Sequence, residues 1–272
     1  MGVRLQEFRC GMYPVRLSLL LLFCYLGCGL LVSQFGCSAG VSVLLADAIC
    51  CVWLFLCYRK FATVKQPAYH LSGMGWFLIG VLFLFLYVTS QGFGVYLQEQ
   101  YASNFAAVYG ELTTSYLDLG CYMAASVTVA PVAEELLFRG FCYGCMKKVY
   151  ARWVSLGFSM VLFSLIHGTV AHLPIAMGLT VFLCVLYELT DRLWVCIVFH
   201  MLYNLFGVTL LIPIPVSGMW MGVWFVLCFL VLLLLYRFVS VFQSRMEKGV
   251  FPNLTEWVQR KRDAYFDTLS KK

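Results

Sequence analysis

The sequence predicts an all-α, polytopic membrane protein of about eight transmembrane helices around a polar intramembrane cavity, with both termini in the cytoplasm. Three observations carry that expectation. Of 272 residues, 62% are hydrophobic and only 12% charged, with a mean hydropathy of +0.86. A soluble domain has about 25% charged residues, so this chain cannot cover itself with polar surface. Apolar runs long enough to approach a bilayer span recur along its length, and its basic residues fall into alternate connections between those runs.

The runs are residues 15–32, 41–57, 75–90, 117 to about 145, 153–167, 175–189, 193–211 and 219–238. The first follows Arg4, Arg9 and Arg16 and imitates a secretory signal. No convincing small-residue cleavage site follows it, so it reads as a retained helix. The fourth is long, and Glu134 lies near its middle, which puts carboxylates deep in hydrocarbon. Cytoplasmic connections concentrate Lys and Arg. Arg59, Lys60 and Lys65 follow the second run, Lys147, Lys148 and Arg152 the fourth, Arg192 the sixth, and Arg237 onward the eighth. Residues 33–40, 91–116, 168–174 and 212–218 contain no Lys or Arg. Eight helices satisfy every loop, whereas an odd number breaks the alternation. The formal net charge of +6 follows this loop pattern and does not cluster with aromatics, so no nucleic-acid partner is expected. No linker, repeat or low-complexity run divides residues 1–272, which read as one integral membrane domain with a basic cytoplasmic tail at 240–272.

Thirteen cysteines invite a disulfide or metal reading, but most fall inside the apolar runs, where cysteine packs as a small hydrophobe. Only Cys37 lies in an expected outer loop, and the Cys142/Cys145 pair lacks the βαβ context of a redox motif.

The chemistry concentrates in Ala133-Glu134-Glu135-Leu-Leu-Phe-Arg139. Intramembrane ionisable residues mark functional sites unless paired away. Glu135 and Arg139 are four residues apart and share a helix face, so they are expected to form an ion pair. Glu134 points about 100° away and stays free to face a cavity. Desolvation disfavours the charged form of an unpaired carboxylate and so strengthens it as a general base. A buried bridge that merely locks the helix is the simpler reading, but it does not need the second glutamate. His167 lies one turn after Phe163, and His200 one turn before Asn204. A histidine and a carboxamide on one face suit donation to a developing oxyanion; a polar clamp between helices is the alternative. His70 and His172 lie near helix ends and suggest solvated or interfacial roles rather than catalysis, while Glu188 has Arg192 at i+4 and suggests a structural pair. Asp47 also lies within a membrane run.

These residues carry a resemblance. Glu134-Glu135-Leu-Leu-Phe-Arg139 reads as EExxxR, Phe163-Ser-Leu-Ile-His167 as FxxxH, and His200-Met-Leu-Tyr-Asn204 as HxxxN. In that order, on separate helices, they resemble the motifs of the CPBP (CAAX protease and bacteriocin-processing, or Abi) family of intramembrane endopeptidases. The approach Leu186-Tyr-Glu-Leu-Thr-Asp-Arg-Leu-Trp194 is also similar to that family's, with Asp191 and Arg192 in place of its Gly-Ser turn. The resemblance covers roughly residues 115–210, the expected catalytic core. It implies hydrolysis of a peptide bond in a membrane-associated peptide or protein, with Glu134 and His167 activating water and His200 and Asn204 forming an oxyanion hole. Glu135, Arg139 and Phe163 are implied to support them. No cofactor is expected. The alternative is a zinc metalloendopeptidase with Glu134, His167 and His200 as the protein ligands of an open site.

His-Glu-x-x-His, Gly-x-Ser-Gly and Gly-x-Gly-Asp are absent, which disfavours the other intramembrane protease types. A proton-carrying transporter is disfavoured by the lack of an apparent inverted repeat. The resemblance also brings a second functional class. Some relatives are linked to bacteriocin self-immunity or act as membrane partners of sensor kinases, where binding can matter more than cleavage. The short N-terminus and compact loops suggest a bacterial plasma membrane.

Overall fold

The computed structural model describes residues 2–61, 71–101, 115–167, 172–209 and 218–247. His70, the outer connections at 168–171 and 210–217, and the tail from 248 lie outside the described residues, as do residues 102–114 of the 91–116 connection. Eight helical segments are described: α1 Gly2–Ser33, α2 Ala39–Phe61, α3 Gly73–Tyr101, α4 Tyr116–Lys148, α5 Arg152–Ile166, α6 His172–Thr190, α7 Leu193–Thr209 and α8 Gly218–Glu247. No strand occurs among the described residues. Six of the eight are long and apolar enough to cross a bilayer, and α5 and α7 are shorter apolar helices. Each coincides with one run read from the sequence. The differences are at ends: α8 continues to Glu247, into the stretch read as tail.

The protein is a multi-pass, all-helical membrane protein. In hydrocarbon every backbone polar group needs a partner within its own segment, and helices alone supply that here. The outer faces of α1, α3 and α8 expose Phe23, Leu31, Phe77, Leu78, Leu234 and Phe238, apolar side chains suited to lipid contact. The more buried helix is α6, which packs against α3, α5, α7 and α8. Small residues set the close approaches. At Gly178 of α6 a Cβ would press on Phe225 and Leu86, and at Gly222 of α8 on Phe93, so both glycines let neighbouring helices approach closely.

The joint between α2 and α4 is built from a cap. Ser115 Oγ accepts the backbone N–H of Asp118, and Asp118 Oδ1 in turn accepts those of Gly40 at 2.7 Å and Val41 at 3.3 Å. Those amides are orphan donors at the start of α2, where a negative charge also suits the helix dipole. A Cβ at Gly40 would collide with the Asp118 backbone, so glycine is required there.

α4 is not a uniform helix. π-helical turns at Ala125–Val129 and Leu136–Tyr143 flank a six-residue α-helical segment, Ala130–Glu135. The Glu134–Glu135 pair therefore sits between two wide turns, features that concentrate at functional sites. Pro131 contributes to the first, because it has no N–H to give an earlier carbonyl.

One ion pair differs from the sequence expectation. Glu188 does not pair with Arg192. α6 ends at Thr190, and Asp191 takes φ 49°, so Arg192 leaves the helix before it can sit over Glu188. Glu188 is bound instead by Lys147 Nζ at 2.8 Å and Arg152 Nε at 3.1 Å, and its Oε1 accepts the Tyr143 hydroxyl at 2.7 Å. Gln243 donates to the Glu188 carbonyl at 2.7 Å, and the Tyr236 hydroxyl to the Arg152 carbonyl at 2.7 Å. Four helices, α4, α5, α6 and α8, thus share one buried polar knot.

Candidate active site

The adjacent glutamates stand in different surroundings. Glu135 is fully buried, and its Oε1 accepts Arg139 Nη1 at 2.9 Å and His200 Nδ1 at 2.8 Å. Arg139 is also fully buried and lies over the Phe163 ring, 4.9 Å from its centroid. Cation–π contact and ion pair together hold a charge that would otherwise be costly at this depth. Glu134, one residue earlier, keeps 12% of its side chain exposed and faces a cavity of about 1110 Å³. His167, His200, Asn204 and Phe163 line the same cavity. The four residues read as catalytic from the sequence, carried on α4, α5, α7 and their ends, therefore meet around one space.

Each is held in a particular way. His167 caps α5, and its Nδ1 lies 2.7 Å from the Phe163 carbonyl. A carbonyl only accepts, so Nδ1 carries the proton there and the neutral ring keeps its lone pair on Nε2. His200 is oriented in the same manner by the Glu135 carboxylate, and its Nε2 faces Glu134 Oε2 at 3.6 Å. Phe163 is the plate beneath both histidines, with centroid distances of 4.6 Å to His167 and 5.8 Å to His200, and it meets Phe138 edge-on at 4.9 Å.

Asn204 is placed by the break in α4. In the first π turn the Ala130 N–H reaches the Ala125 carbonyl. The next carbonyl, Ser126, would turn to residue 131, and Pro131 has no N–H. Asn204 Nδ2 takes that carbonyl at 2.8 Å. The contact orients the amide, since only the nitrogen can donate, and leaves a second N–H on Nδ2.

The sequence did not single out the facing wall. Asp47 of α2 lies on the cavity and accepts the Tyr25 hydroxyl of α1 at 3.0 Å. An aspartate in an apolar run was the available signal; nothing local named its partner, 22 residues away. His172, read as a helix-end residue, also lines the cavity. Among the described residues, no three His, Cys, Asp or Glu side chains are grouped to hold a metal ion, so Glu134, His167 and His200 would have to draw together to form the alternative zinc site.

The family described as type II CAAX prenyl endopeptidase Rce1-like matches residues 117–206. Those residues are similar to that family. They make up one third of the chain and contain all three motifs around the cavity. YdiL of Bacillus subtilis (strain 168), provisionally named a membrane peptidase, is 34% identical over 85 residues. That match takes in 30% of this chain and 34% of YdiL, so the chain spans about a third of the length of the curated relative it matches. No solved structure matches. At the level of family, the matched segment is similar to CAAX-protease-like membrane peptidases.

Proposed function

We propose that this protein is an intramembrane endopeptidase that cleaves a membrane-associated peptide or protein with a water activated by Glu134. The observation that carries the reading is the unequal fate of two adjacent carboxylates. Glu135 is spent on Arg139 and His200, while Glu134 opens into a cavity shared with His167, His200 and Asn204.

In the proposed reaction, water sits between Glu134 and His167. His167 Nε2 accepts one O–H and orients the oxygen, while Glu134 removes the other proton as general base. The hydroxide adds to the scissile carbonyl. The remaining N–H of Asn204 then donates to the oxyanion, and so does Nε2 of His200 when both ring nitrogens carry protons. Glu134 returns its proton to the leaving amine, so the cycle closes without net change in the protein. Glu135, Arg139 and Phe163 are positioning residues: they hold the His200 ring and the plate beneath it. No step in this scheme needs a metal, because donors on α7 meet the developing charge.

Residues 115–210 form the catalytic core in this reading, and the bacterial plasma membrane is the proposed setting. Membrane proteomes of deletion and Glu134→Gln strains test it. Both should accumulate the same uncleaved precursor. Full complementation of the deletion by Glu134→Gln would mean that binding, as in an immunity protein or sensor-kinase partner, is the role.

A further inference from the structure

We propose that the catalytic cavity opens on the external side of the membrane, so that its substrate is a polypeptide segment presented from outside the cell. The substrate half of this statement rests on the peptidase reading; the direction of opening does not. Helix by helix, the lining residues fall in 25–33 of α1, 39–50 of α2, 91 of α3, 122–134 of α4, 163–167 of α5, 172–179 of α6 and 200–208 of α7. These are the later parts of the odd-numbered helices and the earlier parts of the even-numbered ones. Successive helices run in opposite directions, so all these parts belong to the same end of the bundle.

The charge pattern says which end that is. The connections there, 34–38, 102–115, 168–171 and 210–217, contain no Lys or Arg. At the other end stand Arg59, Lys147, Lys148, Arg152, Arg192 and Arg237. The excess of Lys and Arg marks the cytoplasmic side. Two independent patterns, lining and charge, therefore divide the molecule along the same line.

Packing closes the opposite direction. The turn of α4 that follows the glutamates is fully buried through Leu137, Phe138, Phe141 and Cys142, none of which lines the cavity. Beyond it, the Glu188 knot ties Lys147 and Arg152 across the cytoplasmic end. Glu134 and His200 thus form the floor of a well whose rim includes Ser33, Cys37 and Val208. A chain arriving from the cytoplasm meets the closed end.

Native Cys37 is exposed at the rim and serves as the first reporter. Val208→Cys provides a second at the rim, and Lys148→Cys a control at the other end. Full-length protein in right-side-out and inverted membrane vesicles would be treated with a charged, membrane-impermeant maleimide, and each site read by peptide mass spectrometry. Cys37 and Val208→Cys should be labelled in right-side-out vesicles and lose that labelling in inverted ones, with Lys148→Cys the reverse. Rim cysteines labelled only in inverted vesicles, or from neither side, would overturn the external opening whatever the protein cleaves. The precursor that accumulates in the Glu134→Gln strain should have its cleavage site external, and a cytoplasmic site would overturn the substrate assignment. Loss of no cleavage in Glu134→Gln, with external labelling intact, would sink the peptidase reading alone.

Discussion

Replacing each glutamate by glutamine should separate holding from chemistry. Glu135 Oε1 accepts Arg139 Nη1 at 2.9 Å and His200 Nδ1 at 2.8 Å, with the acid and the guanidinium both fully buried. Glutamine preserves the shape but leaves the guanidinium without a countercharge. Removing one partner of a buried pair costs about 3–5 kcal/mol. The Phe163 face beneath Arg139 offsets part of this, about 0.5–2 kcal/mol, so the lower end is expected. At about 2 °C per kcal/mol for a chain of this size, the melting midpoint should fall by roughly 6 °C. Glu134 is held less tightly: its Oε2 lies 3.6 Å from His200 Nε2, and part of its side chain reaches the cavity. Glu134→Gln should therefore cost less than about 1 kcal/mol. It removes the base, however, and general-base catalysis is worth about 10²–10⁴-fold. Thermal unfolding of detergent-purified protein, beside turnover of the accumulated precursor, reads both quantities. If Glu135→Gln keeps the wild-type midpoint while losing as much turnover as Glu134→Gln, the division of labour is wrong and both carboxylates act in chemistry.

Three further outcomes are expected. Pro131→Ala supplies an N–H that competes for the Ser126 carbonyl and frees Asn204, so kcat should fall while the melting midpoint stays level or rises; unchanged turnover would detach Asn204's anchor from catalysis. Asp191→Gly relieves a left-handed residue at φ 49° and should stabilise the protein by up to about 1 kcal/mol, and a lower midpoint would show that Asp191's own contacts outweigh the strain. Enzyme stripped with chelator and verified metal-free by elemental analysis should keep cleaving, whereas activity that vanishes and returns with stoichiometric zinc would make Glu134, His167 and His200 ligands.

Much of this protein was legible before any coordinates. All eight apolar runs became helices, because a long run without water must satisfy its backbone internally and local composition alone selects the helix. The Glu135–Arg139 pair was legible for a similar reason: four residues on one helix are neighbours by geometry. Where local geometry stopped, so did the reading. The Glu188–Arg192 pair failed because one left-handed residue, Asp191, ended the helix between them. Residues far apart in the chain were decided by tertiary packing alone. His200 reaches Glu135 across 65 positions, Asn204 reaches Ser126 across 78, and Tyr25 meets Asp47 across the α1–α2 joint. Such contacts leave no periodic trace in sequence, since a buried polar atom takes whichever partner the packed helices bring within reach. The direction in which the cavity opens needed both sources. Charge in the connections orients the bundle, and only the packed helices show at which end its polar side chains surround open space.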